Sequence, residues 1–137
     1  MLTIAKESIK RFKQSVRRIT RRNRGKSLEE IIKELNQKTP GWIRYFKLAR
    51  AKGVTNELDS WIRRKLRCYK LKQMKRVFTT AKTLISMGVT EWQAWIFALS
   101  GKGHWRMSAT PQINTAMNIK WFNGQGLINL EKLYLSL

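Results

Sequence analysis

The chain of 137 residues is long enough for one domain with a modest hydrophobic core. Its 29 lysines and arginines stand against 8 acidic residues, a formal net charge of +21. Charge on that scale costs a compact state self-repulsion and points to a polyanionic partner, nucleic acid before an anionic membrane surface.

Disorder is the weaker reading, because 42% of the residues are hydrophobic and six are tryptophan, which supplies a core. The single cysteine, Cys68, excludes an internal disulfide and a cysteine-based zinc site, and reads as a buried free thiol. No apolar run approaches the roughly 18 residues that cross a bilayer. The N-terminus carries no uninterrupted apolar segment of the kind a secretory signal needs. These features suit a reducing compartment, a bacterial cytosol or an organelle matrix, with no membrane partner.

In chain order, residues 6–22 predict a helix. Ile9, Phe12, Val16 and Ile19 recur at i, i+3, i+7 and i+10 as a single apolar stripe. Lys6, Lys10, Arg11, Lys13, Arg17, Arg18, Arg21 and Arg22 occupy the other faces, with Glu7 alone opposing them. Residues 23–26 interrupt the pattern, and Gly25 suits a left-handed C-terminal position. Ser27-Leu28-Glu29-Glu30 has the form of a capping box, in which the serine oxygen takes a helix-start amide and the glutamate reaches back. Leu28, Ile31, Ile32 and Leu35 form the inward face that follows. This helix is expected to end at Thr39-Pro40, since the residue before a proline avoids helical angles. Thr39 as cap and Pro40 as first residue would open a third helix to about residue 51, with Trp42, Tyr45, Phe46 and Ala49 on one face.

Thr55 or Asn56 opens a long basic helical pattern on Leu58, Trp61, Ile62, Leu66 and Tyr69, with room for a break at residues 69–72. Between Asp59 and Glu91 there is no acidic residue. Gly88 ends this stretch. Thr90-Glu91-Trp92-Gln93 has the form of a second capping box, and Trp92, Trp95, Ile96 and Leu99 are expected to be the buried face of a short helix. Residues 101–106 read as a loop that interleaves basic and aromatic side chains. Thr110-Pro111 restarts a helix, and residues 127–137 are expected as a short apolar helix docked on the body. No strand pattern appears. The chain therefore reads as all-α, a bundle of about five to seven helices. Residues 1–87 form the main helical region and 88–137 a C-terminal extension, packed as one compact unit.

Arginine's planar fork grips phosphate oxygens in pairs. Arg17, Arg18, Arg21, Arg22, Arg24 and Lys26 are one set of candidate phosphate contacts, and Arg63, Arg64, Arg67, Lys72, Lys75 and Arg76 are a second. The spacing of the second set puts charges on more than one side of its helix, so only some can meet one ligand. In the 101–106 loop, Trp105 offers a platform for an unpaired base, with Lys102 and Arg106 as its charges. The alternative there is a turn with Trp105 plugged into the core. Gly41, Trp42, Tyr45, Phe46, Leu58, Asp59, Trp61, Ile62 and Leu66 read as structural. Helical spacing places the aromatics in the core, and Asp59, near a helix start, suits the helix dipole and an ion pair with an arginine. Catalytic constellations are missing: no paired aspartates for two-metal phosphoryl transfer, no glycine-rich phosphate loop, no nucleophile with a base. His104 is the single histidine of the sequence and is assigned no role. No metal, no cofactor and no enzyme activity are expected.

Gly41-Trp42, Tyr45-Phe46, Leu58-Asp59, Trp61-Ile62 and Arg63-Arg64-Lys65-Leu66-Arg67 resemble the maturase-specific region of group II intron reverse transcriptases. In that family a GW-x-x-YF element precedes an LD-x-W-I-basic-basic-x-LR element. Ile9-Lys10-Arg11-Phe12, Thr20-Arg21-Arg22-Asn23-Arg24-Gly25, Ser27-Leu28 and Leu35-Asn36 extend the resemblance upstream. Gly101-Lys102-Gly103, Trp105-Arg106, Asn118, Gly126-Leu127 and Tyr134 extend it downstream. The resemblance implies a thumb-like three-helix core with a helical C-terminal extension. It implies binding of structured intron RNA, help with folding for self-splicing, and support of reverse transcription on a template–primer. The finger and palm regions of the family, with their catalytic aspartates, have no counterpart in this sequence. Two alternatives follow: a thumb subunit of a split RNA-directed DNA polymerase partnered by a separate finger/palm chain, or a general nucleic-acid-binding remnant.

Overall fold

The computed structural model describes residues 2–21, 25–48, 52–100 and 102–136. Among these residues every regular element is helical, as the periodicity predicts. The helices are α1 (Leu2–Ile19), α2 (Leu28–Leu48), α3 (Lys52–Gln73), α4 (Val77–Ser86), α5 (Glu91–Leu99), α6 (His104–Met107), α7 (Pro111–Ala116), α8 (Ile119–Gly124) and α9 (Leu130–Ser136). The C-terminal part is divided more finely than expected, because α6, α7 and α8 have only 4, 6 and 6 residues, too short to show a period. The chain forms two compact units, Met1–Ile62 with Gln125–Leu137 and Arg63–Gly124. Residues 52–62 of α3 belong to the first and residues 63–73 to the second.

In the first unit α1 packs on α2. Of the stripe read from the sequence, Phe12, Val16 and Ile19 are buried and Ile9 is half-buried. The Ser27 capping box forms: Ser27 Oγ accepts from the Glu30 amide at 3.2 Å, and Glu30 Oε1 accepts from the Ser27 amide at 3.3 Å. The expected break at Pro40 does not occur, and α2 runs through it to Leu48. Leu28, Ile32, Leu35, Ile43 and Phe46 are all buried. Leu28 and Phe46 are about five turns apart, so the two halves of the stripe stay in phase only if the helix is unbroken. A proline in a helix interior costs about 3 kcal/mol. Burying one large apolar side chain gains about 1.5–3 kcal/mol, so Ile43 and Phe46 together outweigh it. Thr39 is no cap; its hydroxyl donates to the Leu35 carbonyl at 2.8 Å within the helix.

The C-terminal segment docks on α2, as expected of residues 127–137. Asn36 holds it in both directions, donating to the Gly126 carbonyl at 2.7 Å and accepting from the Ile128 amide at 2.9 Å. Asp59 lies in the interior of α3, not at its start, and is 4% exposed. Its carboxylate accepts from the Leu130 and Glu131 amides at 2.7 and 3.1 Å, so it caps α9 rather than its own helix.

In the second unit α3 buries Leu66, Cys68, Tyr69 and Leu71, and Cys68 is a free thiol. The helix breaks after Gln73, beyond the expected place. The Thr80 hydroxyl reaches both the Met74 and Arg76 carbonyls, at 3.2 and 3.0 Å, and ties this corner. At the end of α4, Gly88 takes φ +97°, the Val89 amide donates to the Leu84 carbonyl and the Gly88 amide to that of Ile85, a Schellman closure. Leu84 and Val89 are both buried beside it.

Helix α5 is turned the other way from the sequence reading. Ala94 and Phe97 are buried, whereas Trp92 is 75% and Leu99 68% exposed, Ile96 is exposed, and Trp95 is half-buried against Phe78. The helix is apolar nearly all round, so its period cannot select a face. Packing against α4 and α7 selects the side that carries Ala94 and Phe97. Thr90 occupies the N-cap position without a side-chain capping bond, and the Gln93 side chain, expected to reach back to it, instead accepts from Gln112 Nε2 at 2.9 Å.

Candidate nucleic-acid interface

On α1 the cations fall into two rows beside the buried stripe. Lys6, Lys10, Lys13 and Arg17 recur at i, i+4, i+7 and i+11, a row of roughly 16 Å. Arg11 and Arg18 lie seven residues apart on the other flank. All are exposed except Lys13, which is half-buried. Lys13 Nζ and the Arg17 guanidinium stand 5.4 and 5.6 Å from the ring centroid of Trp61, cation–π contacts that fix their placement. Trp61 is therefore a half-buried support for the basic row rather than a core residue. Arg21 is exposed just beyond the end of α1. Arg22 and Arg24 lie outside the described residues. Lys26 is paired with Glu34 at 3.0 Å, so its charge is already partly compensated.

The opposite flank of α1 opens on a concavity of about 280 Å³ lined by Arg11, Lys38, Gly41, Trp42 and Tyr45. The four α2 residues recur at i, i+3, i+4 and i+7 and so share one face. Phe46 is fully buried and Trp42 half-buried, with Phe12 edge-on to both at 5.5 and 5.6 Å. Tyr45, expected in the core, is 42% exposed. It precedes Phe46 by one residue, which rotates it about 100° off the buried stripe. Lys38 has no place in the sequence reading. The signal that would have found it is its i, i+3, i+4 relation to Gly41 and Trp42.

In the second unit, Lys75, Arg76 and Lys102 come together with His104 around a second cavity of about 280 Å³. Leu71, Met74, Phe97 and Met107 supply its apolar lining. Three predicted phosphate contacts from separate segments thus converge, because the corner after α3 and the start of α6 meet there. Lys72 is half-buried on α3 and does not line this cavity, and Arg106 is exposed on α6. Residue 101 lies outside the described residues, and residues 104–107 are a helical turn where the sequence suggested a loop.

Arg64 and Arg67 play a different part from the one expected. Arg64 Nη2 donates to the Trp105 carbonyl at 2.9 Å and Nε to Ser108 Oγ at 3.1 Å, while the guanidinium lies 3.9 Å from the Trp105 ring centroid. One face of Trp105, the predicted base platform, is thereby covered by an arginine of the same unit, with Lys65 Nζ at 5.6 Å. Arg67 is 8% exposed, donates from Nε to the Met117 carbonyl at 2.9 Å and sits 5.4 Å from the Phe122 ring. Burial, and then the neighbouring Arg63 charge, lower its pKa to about 10. Arg67 belongs to the interior, where it satisfies the C-terminal carbonyl of α7. Leu58, Ile62 and Leu66 are buried, as the structural reading of the central stretch expected.

Among the described residues no group of three His, Cys, Asp or Glu side chains is placed to hold a metal ion. No helix among them is long and apolar enough to cross a membrane. What these elements define is a polycationic all-α domain with two basic concavities, one in each unit. The model of the family described as group II intron, maturase-specific domain matches residues 9–85, more than half of the chain. The chain belongs to that family. No curated protein matches it. The matched segment runs from α1 into α4 and includes all five residues of the first concavity.

Proposed function

We propose that the chain is a maturase-type domain that binds structured group II intron RNA and assists its splicing or reverse transcription. The observation that carries this reading is the match of residues 9–85 to the maturase-specific domain. The formal charge of +21 and the two basic concavities support it. The mechanism is selection among RNA conformers. A ligand shifts a conformational equilibrium by its difference in affinity for the two states, so a domain that grips the folded intron better holds it folded. The chemistry stays with the RNA, and the chain carries no polymerase activity of its own. Phosphate contacts come from Arg17, Arg18 and Arg21 on one unit and from Lys75, Arg76 and Lys102 on the other, with Lys72 and Arg106 beside them.

The test is competition of a folded group II intron RNA against an unrelated structured RNA and duplex DNA over a range of salt. Counterion release weakens all three complexes as salt rises. The expected result is a preference for the intron that persists at high salt. Equal affinity for all three would reduce the chain to a general basic module.

A further inference from the structure

A glycine inside a helix is tolerated for one of two ordinary reasons: a backbone angle that other residues avoid, or a neighbour too close for a methyl group. Gly41 meets neither. It lies in the interior of α2 immediately after Pro40, its φ is not positive, and a Cβ built there would touch nothing within 4 Å. The fold by itself would favour alanine, a much better helix former. The open space beside Gly41 is the concavity it shares with Arg11, Lys38, Trp42 and Tyr45.

We propose that this concavity is a subsite for one unpaired nucleotide of the bound RNA. The inference rests on the RNA-binding reading above and names a place and a ligand for it. Trp42 is a fixed wall, held edge-on by Phe12 at 5.6 Å and packed on Phe46 at 6.1 Å. Tyr45 meets Trp42 at 74° with ring centroids 6.3 Å apart, so the two rings form a corner. A base lying on the exposed Tyr45 face presents its edge to Trp42, and the missing side chain at Gly41 lets it approach the helix backbone. Arg11 and Lys38 are exposed and come from different helices. Neither has a hydrogen-bond or ion-pair partner among the described residues, so both remain available for the flanking phosphates. The volume is slightly below the roughly 300 Å³ at which small-molecule sites begin, which suits one planar group. Unpaired bases are what aromatic platforms read in RNA, because the bases of a double helix are already stacked.

The experiment compares the full chain with its Gly41→Ala, Tyr45→Ala and Tyr45→Phe variants. Melting temperature is measured for each, together with binding to a single-stranded oligoribonucleotide and to the same sequence as a duplex. Gly41→Ala is expected to melt at or above the temperature of the unaltered chain, yet to bind the single strand about tenfold more weakly. Its duplex binding and salt dependence stay unchanged, because no charge is lost. Tyr45→Ala shows the same selective loss and Tyr45→Phe restores binding. Unaltered single-strand affinity in both Gly41→Ala and Tyr45→Ala overturns the subsite while leaving the RNA-binding reading intact. A lowered melting temperature for Gly41→Ala also overturns it, by giving the glycine a role in the fold. Failure of the unaltered chain to bind any RNA overturns both readings.

Discussion

The Asp59 carboxylate accepts the Leu130 amide at 2.7 Å across 71 residues of sequence. Helix α9 has seven residues, too few to hold together alone. Its first amides are satisfied from outside by Asp59 and locally by Asn129, whose Oδ1 accepts from Lys132 at 2.9 Å. Asn36 clamps the approach to it from α2. The Leu58-Asp59 pair therefore divides its work: the leucine packs in the core and the aspartate fixes the returning chain.

Asp59→Ala is expected to destabilise the protein by about 2–4 kcal/mol, since two amides in a buried setting lose their acceptor. Asp59→Asn retains one acceptor oxygen and is expected to lose about half as much. Urea denaturation measures both, and limited proteolysis should cut the alanine variant first near residues 125–136. A Asp59→Ala protein as stable as the unaltered chain would mean that α9 does not depend on this carboxylate.

Pro40→Ala is expected to stabilise the protein by about 1–2 kcal/mol. It restores a helical donor and relieves the ring clash, while giving back part of the gain as greater freedom of the unfolded chain. Thermal or chemical unfolding reads the change directly. A loss of stability would show that the ring itself packs in a way the helix needs.

The parts of this fold that the sequence made legible are those where one signal dominates. The α1 stripe of Phe12, Val16 and Ile19, the Ser27 capping box and the Gly88 terminator each rest on a local rule that nothing in the tertiary structure opposes. Pro40 misled because a local rule met a larger non-local gain, the burial of Ile43 and Phe46 in phase with Leu28. Helix α5 misled for the opposite reason. With apolar residues on every side, only its neighbour decides which face is buried, and Trp92 ends up in solvent. The candidate site was legible as charge but not as geometry. The sequence places Arg64, Arg67, Lys75 and Arg76 in one basic run. Only the packing separates Arg67, bonded to the Met117 carbonyl, from Lys75 and Arg76, which line a cavity.

Arg67 gives a pH prediction. Its pKa in the folded chain is lowered to about 10, well below the ordinary guanidinium value. Between those values the unfolded chain holds more protons, so this group's contribution to stability rises with pH there. Below about 10 both states are protonated and the contribution does not vary. The readout is the difference in stability between the unaltered chain and Arg67→Met. That difference should be constant near neutral pH and should shift in favour of the unaltered chain as pH climbs past about 10. A difference that stays flat into that range would show that the guanidinium is no harder to keep charged in the fold than in the unfolded chain.

The two groups of arginines and lysines should separate in a salt titration of RNA binding. Each phosphate contact contributes about 0.7–0.9 to the slope of log affinity against log salt. Replacing Lys75, Arg76 and Lys102 together by alanine is expected to reduce the slope by about 2, with little change in stability because all three side chains are exposed. Arg64→Ala should do the reverse. Its Nε and Nη2 protons already serve Ser108 and the Trp105 carbonyl, and its plane covers the Trp105 ring. Losing it removes two hydrogen bonds and a cation–π contact, about 2–3 kcal/mol of stability, and leaves the slope nearly unchanged. A slope that falls by a full contact on Arg64→Ala would place its guanidinium on a phosphate, and Trp105 would then be uncovered in the complex and open to a base.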